Sequence, residues 1–435
     1  MQKKVFIISA IAVVAALGIA ASPLALGSSS TVDKLNAYLE GSEKLTEKEV
    51  ALLDMDHNGK VDRMDWVKAK YRAMLGGDAD QLQVFAPTEQ YAKQLGRTYY
   101  HEESKTTWCS LSGTGVAFSF HGRKCTLTLV ADTQYTAGEA NAARYAIYLD
   151  GAVVKDAQLT TPTIDVEVLN ADAAAMHDVR VVKLSEACNS SLGIRDIVVD
   201  AEEPIVPAAN KAHLIEFIGD SITCGYGVDL EDTGGGFKTL TENVTRAYAY
   251  RTAEMLDADY SMVSYSGHGI LSGYTGNGQL NTKQLVPPYY DNLGFCYGKF
   301  ENTLQPQNIQ WQFANEPSLI VINLGTNDAS YTGGDGTRQR AYADAYIAFL
   351  KEIRVKNPNA PILCTLGIMG TQLCDAMELA VSDYTAETGD TNISSMRFAA
   401  QLAEDGYAVD WHPTAKTHDK AATVLSDYIR NWLGW

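Results

Sequence analysis

Residues 214–223, Leu-Ile-Glu-Phe-Ile-Gly-Asp-Ser-Ile-Thr, decide the fold. Leu214–Ile218 is a short, almost wholly apolar run, as expected of a strand buried on both faces of a sheet. It leads straight into Gly219-Asp220-Ser221, which puts a serine hydroxyl at a tight strand-to-helix turn, beside a helix N-terminus. Alone, such a serine reads equally well as a helix cap. Its weight comes from the residues downstream of it.

After this serine, apolar strands alternate with helical stretches. Strands are predicted at Tyr260–Tyr265, Leu319–Leu324, Ile362–Leu366 and Tyr407–Val409. Helices are predicted at Val244–Leu256, Arg338–Lys356, Gln372–Thr388, Ser394–Glu404 and Ala415–Trp432. This alternation argues for a parallel sheet covered on both faces, with ligands at the carboxyl ends of its strands. Polar residues suited to catalysis stand at those ends. Gly267 follows the second strand and can bring a backbone N–H close to a developing oxyanion with no Cβ in the way. Asn327, in Gly325-Thr326-Asn327-Asp328, can add a side-chain N–H donor. His412 stands directly before Pro413, which favours an extended backbone. Asp410, two residues earlier, is expected on the same strand face as His412. His418 is the competing base, but it falls within the last helix and reads as structural.

These four sites, in this order, resemble the SGNH/GDSL hydrolase superfamily. Ser221 matches its block I serine, Gly267 its block II glycine, Asn327 its block III asparagine and His412 its block V histidine. The resemblance implies a flavodoxin-like α/β fold and ester hydrolysis through an acyl-serine. Ser221 N–H, Gly267 N–H and the Asn327 amide would be the oxyanion donors. The superfamily commonly places its aspartate three residues before the histidine, where Val409 stands here. Two arrangements are therefore open: Asp410 completes a triad, or a backbone carbonyl orients His412 in a dyad.

A spacing of two is associated with carbohydrate esterase family 2, which also carries a β-sandwich ahead of its SGNH domain. Residues 84–203 fit that description. Val116-Phe118-Phe120, Tyr145-Ile147-Leu149 and Ile164-Val166-Val168 alternate with polar residues, and turn signals such as Asp150-Gly151 separate the runs. Gly96-Arg97-Thr98-Tyr99, Trp108, the run 112–118 and the segment Gly219–Gly227 are similar to that family's sequences. The linker Glu202–Ala209 leads into the catalytic segment, 211–435. The resemblance implies removal of O-acetyl groups from plant polysaccharides such as xylan or glucomannan. Trp411 and Tyr226 are candidates for stacking on sugar rings. The alternatives are a GDSL lipid esterase or lysophospholipase, and a polysaccharide-binding protein with a vestigial catalytic fold.

Residues 28–80 read as helix, loop, helix. In the loop Asp54–Asp65, the ligands Asp54, Asp56, Asn58, Lys60 (through its carbonyl), Asp62 and Asp65 have the spacing of a Ca²⁺ loop, and Gly59 supplies the sharp turn at position 6. The segment resembles a dockerin whose first calcium loop is missing, since residues 27–31 hold no carboxylate. That resemblance implies structural Ca²⁺ and a possible cohesin partner. A calcium-stapled cap is the alternative.

Residues 1–27 read as a signal peptide: Lys3 and Lys4, an apolar run from Val5 to Ala21, then small residues. A retained anchor is the competing interpretation. Secretion is expected, with attachment to a cell surface or cellulosome through the dockerin-like segment as an option. At 435 residues the chain has room for two or three domains. Its formal charge of −18 argues against nucleic-acid or anionic-membrane partners. Seven cysteines cannot all pair within the chain, and Cys224 and Cys364, in apolar stretches, are expected to be buried free thiols.

Overall fold

The structure is a computed structural model and describes residues 29–55, 58–75 and 82–435. The expected signal peptide and Asp56 of the calcium loop lie outside the described residues. The chain divides into two compact units, with the boundary between Leu82 and Gln83.

The first unit holds helices α1 (Ser29–Leu39), α2 (Glu47–Leu53) and α3 (Arg63–Leu75). Helix α2 starts at a capping box, in which Thr46 accepts the Glu49 N–H and the Glu49 carboxylate accepts the Thr46 N–H. Leu35, Leu53, Val61 and Ala69 form the small core.

The second unit begins with ten strands in one antiparallel sheet: β1 (Gln83–Phe85), β2 (Lys93–Leu95), β3 (Thr98–His101), β4 (Thr106–Cys109), β5 (Gly115–Ala131), β6 (Arg144–Leu149), β7 (Ala152–Gln158), β8 (Thr163–Lys183), β9 (Leu192–Val199) and β10 (Val206–Pro207). The long strands β5 and β8 pair with register shifts at Gly122/Lys124 and Cys125/Thr126. Such irregularities bend a sheet and raise its twist. The curled sheet encloses one core, to which Val116, Phe118, Leu127, Tyr145, Val181 and Ile197 contribute.

The α/β domain follows. Its elements are β11 (Leu214–Gly219), α4 (Ser221–Cys224), α5 (Tyr248–Met255), β12 (Asp259–Ser264), β13 (Leu319–Asn323), α6 (Thr326–Thr332), α7 (Gly336–Lys356), β14 (Ile362–Ile368), α8 (Cys374–Thr388), β15 (Ile393–Ala400) and α9 (Ala415–Leu433). The parallel sheet runs β12-β11-β13-β14-β15. Ile215, Phe217 and Val321 pack against α5 and α9 on one face. Ile218, Ile320 and Ile322 pack against α7 and α8 on the other. The inner strands β11, β13 and β14 are mostly apolar because both faces of the sheet are covered there.

Two predicted elements near the C-terminus need correction. Residues 394–404, read as a helix, form edge strand β15 for most of their length. Only Met396 and Phe398 turn fully inward there, so Arg, Ala and Gln on the open side imitate helical composition. The strand predicted at Tyr407–Val409 does not form. Residues 409–411 are a short 3₁₀ turn with left-handed backbone at Asp410 (φ 50°) and Trp411 (φ 64°).

The two domains of this unit share a core. Leu111, Ala187 and Cys188 of the β-domain pack with Ile218, Val263 and Tyr265. A buried ion pair, Arg97 Nη2 to Glu216 Oε2 at 3.1 Å, crosses the same boundary. All seven cysteines are buried free thiols, Cys224 and Cys364 among them. No helix among the described residues is long and apolar enough to cross a membrane.

Candidate active site

Three strand ends and the turn before α9 converge. Ser221 is the first residue of α4, whose N-cap Asp220 accepts the Ile222 N–H at 3.0 Å. The turn needs Gly219, because a Cβ there would come within 2.0 Å of Thr223 Oγ1. His412, extended before Pro413, places Nε2 2.8 Å from Ser221 Oγ and Nδ1 3.0 Å from the Val409 carbonyl oxygen. A carbonyl only accepts, so Nδ1 carries the proton and Nε2 is left to accept from the serine hydroxyl. The pair can therefore deliver a deprotonated serine oxygen. Burial pushes the imidazole down to about 4.

Asp410 does not take the place expected of it. With residues 409–411 in a left-handed turn, its carboxylate leaves the imidazole and accepts the Tyr226 hydroxyl at 2.7 Å. Tyr226 in turn stacks on His412, with centroids 4.1 Å apart, and on Phe237 at 4.5 Å. Two stacked neighbours leave its ring no open face for a sugar, so Tyr226 supports the histidine. Trp411 is 61% exposed and does present its indole to solvent. His418 is fully buried and its Nδ1 accepts the Tyr248 N–H, as befits a structural residue.

Gly267 has φ +75°, a backbone that favours glycine. Neither its N–H nor that of Ser221 has an acceptor among the described residues. Asn327 donates from Nδ2 to the His268 carbonyl at 2.9 Å and makes a longer contact of 3.4 Å to Asp220 Oδ2. Its second amide hydrogen is the one an oxyanion can take. Asp328, passed over in the sequence although it adjoins Asn327, accepts the N–H groups of Ile270, Leu271 and Ser272. It thus ties down the loop that carries Gly267. Burial raises Asp328 to about 6 and Asp220 to about 7, the Asp328 charge adding to the latter.

A base acts only when deprotonated, so activity is present above the histidine pKa and falls as pH drops through it. The acid limb of kcat/KM on an acetyl ester is expected near pH 4, well below the ordinary 6.5. A midpoint near 6.5 would contradict the burial argument. The profile of Asp410→Asn tests the orientation of His412. With Val409 as the partner, kcat should stay within about tenfold of wild type, whereas loss of a triad carboxylate costs about 10⁴-fold.

In the separate N-terminal unit, Asp54 accepts the N–H groups of Asn58 and Gly59, while Asp65 accepts those of Met55 and Asp62. Gly59 has φ +86° and Asp65 is fully buried. Carboxylates from both ends of the loop thus tie its backbone together.

Residues 217–420 match the GDSL-like lipase/acylhydrolase family, and residues 94–208 match the carbohydrate esterase 2 N-terminal domain. Over 335 residues the chain is 31% identical to the cellulase/esterase CelE of Acetivibrio thermocellus, covering 75% of this chain and 38% of CelE. The chain therefore spans well under half the length of that relative. It is 25% identical to an acetylxylan esterase / glucomannan deacetylase of Cellvibrio japonicus, covering 80% of this chain and 91% of the other. Among solved structures, an acetyl xylan esterase (Est2A) from Butyrivibrio proteoclasticus superposes with a TM-score of 0.72 at 25% identity, covering 81% of this chain and 99% of that one. A curled β-domain of the esterase 2 type, joined through a shared core to a GDSL acylhydrolase domain, places the chain in family 2 of the carbohydrate esterases.

Proposed function

We propose that the chain removes O-acetyl groups from plant cell-wall polysaccharides, xylan or glucomannan, through an acetyl-serine intermediate. The observation that carries this is the Ser221 Oγ–His412 Nε2 hydrogen bond at 2.8 Å, with the Ser221 and Gly267 N–H groups lacking acceptors among the described residues. Ser221 Oγ attacks the acetyl carbonyl carbon while His412 takes its proton. The carbonyl oxygen becomes an oxyanion met by Ser221 N–H, Gly267 N–H and the Asn327 amide. The C–O bond to the sugar breaks, and the sugar hydroxyl leaves with the proton from His412. Water, activated by the same imidazole, then releases acetate. The exposed Trp411 indole offers a stacking surface beside the histidine.

The substrate class is tested by acetate release from acetylated xylan and glucomannan, set against hydrolysis of long-chain acyl esters. Faster turnover of the acetylated polymers is expected. A preference for the long chain would point to a lipid esterase instead.

We further propose that residues 1–27 direct export, and that the loop 54–65 binds Ca²⁺ through Asp54, Asp56, Asn58, the Lys60 carbonyl, Asp62 and Asp65, presenting α1 and α3 to a cohesin module. Ca²⁺ there would staple the loop and take no part in ester cleavage. A chelator is expected to leave acetate release unchanged and to lower the helicity of the N-terminal unit, read by circular dichroism. Activity lost with chelator and restored by Ca²⁺ would contradict this separation.

A further inference from the structure

We infer that Glu186, contributed by the β-domain, is a positioning residue for the oxyanion loop of the α/β domain. The inference rests on the serine-esterase reading of Ser221 and His412. Glu186 lies in the connection between β8 and β9 and is only 2% exposed. Its Oε2 accepts the Ser266 N–H at 2.7 Å, one residue before Gly267.

The loop needs such an anchor. Gly267, at φ +75°, has the conformational freedom of glycine, so its own backbone does not fix where its N–H points. Besides backbone bonds such as Tyr274 N–H to the Gly267 carbonyl, three side chains grip the loop from outside among the described residues. Asp328 takes the N–H groups of Ile270, Leu271 and Ser272. Asn327 Nδ2 donates to the His268 carbonyl. Glu186 takes Ser266, on the other side of the glycine. Of these three side chains, the first two belong to the α/β domain and the third comes from the β-domain.

Glu186 itself has little slack. Its N–H donates to Glu242 Oε2 at 2.8 Å, and its carbonyl accepts Lys183 Nζ at 2.8 Å. Its Oε1 accepts the Asn189 amide at 3.2 Å. Lys183 and Glu242 are both fully buried, so water does not loosen the arrangement. Cys224 Sγ, in the nucleophile helix, lies 3.8 Å from Glu186 Oε2, which brings the anchor against α4 as well. The β-domain therefore helps to set the geometry of the oxyanion hole.

Reach and the carboxyl group separate in two variants of the full chain, assayed on p-nitrophenyl acetate so that polymer binding does not enter. Glu186→Asp keeps the carboxyl group but is one methylene shorter, which draws it away from Ser266. Glu186→Gln keeps an acceptor oxygen at the original reach. For Glu186→Asp, kcat is expected to fall about 10²-fold with KM within about threefold of wild type, the cost of misplacing a catalytic donor. For Glu186→Gln, kcat is expected to stay within about fivefold of wild type. Wild-type kcat in Glu186→Asp, a loss carried by KM alone, or equal loss in both variants would overturn the role. A wild-type protein whose turnover does not depend on Ser221 would instead remove the esterase reading, and the inference with it.

Discussion

Ser221→Ala is expected to lower kcat for acetate release by about 10⁴- to 10⁶-fold, with polymer binding retained. Ser221 Oγ is the hydroxyl hydrogen-bonded to His412, and the imidazole cannot act on the substrate through it once it is gone. His412→Ala should cost nearly as much, because an unassisted serine hydroxyl is a weak nucleophile at neutral pH. The double variant should be scarcely worse than either single one, since the two groups act as a unit. What rate survives belongs to the oxyanion donors and to substrate binding. The assay is acetate release from acetylated xylan and glucomannan, with circular dichroism to verify folding. Retained activity in Ser221→Ala would sink the assignment. Absence of activity in the wild type, with retardation in polysaccharide affinity gels, would favour a binding protein on a vestigial fold.

The parts of this molecule legible in its sequence are those whose cause is local. Strands β11, β13 and β14 announce themselves because each is buried on both faces and so is almost wholly apolar. Ser221, Gly267 and Asn327 come directly after those strands and their neighbour β12, at the end of the sheet where chemistry collects. Edge position hides β15, which needs few inward side chains. The helix predicted at Val244–Leu256 divides at Ala247 into a 3₁₀ turn and α5, a break without a glycine or proline to mark it.

The left-handed turn at Asp410, which decides between the two arrangements open for His412, is hidden for a different reason. Period-two geometry puts residues 410 and 412 on one face only if the segment is extended. Two consecutive non-glycine residues at positive φ are uncommon, and nothing in Val409-Asp410-Trp411-His412 signals them. Their effect is large: they turn the Val409 carbonyl toward His412 Nδ1 and give the aspartate to Tyr226. Glu186 was out of reach for a third reason. Its partner, Ser266, lies 80 residues away in another domain, and only the folded chain brings them together.

Asn327→Ala is expected to lower kcat by about 10²- to 10³-fold, the cost of removing one oxyanion donor, with KM little changed. The side chain has two tasks, and the substitution removes both. One amide hydrogen is held by the His268 carbonyl at 2.9 Å, which fixes the orientation of the amide and braces the loop next to Gly267. The other is engaged only at 3.4 Å, by Asp220. A donor held in place but weakly occupied is what transition-state stabilisation requires, because it need not reorganise when negative charge appears. Alanine also leaves the His268 carbonyl without this donor, a loss of about 1–3 kcal/mol in stability if water does not replace it. Asn327→Asp should be the more damaging change. It keeps the shape but sets an acceptor against the His268 carbonyl, the buried Asp220 carboxyl and the oxyanion itself. The two variants therefore rank as Asn327→Ala above Asn327→Asp in kcat on the same acetyl ester. The reverse order, or a loss borne by KM alone, would mean that the Asn327 amide binds ground state and transition state alike and is not an oxyanion donor.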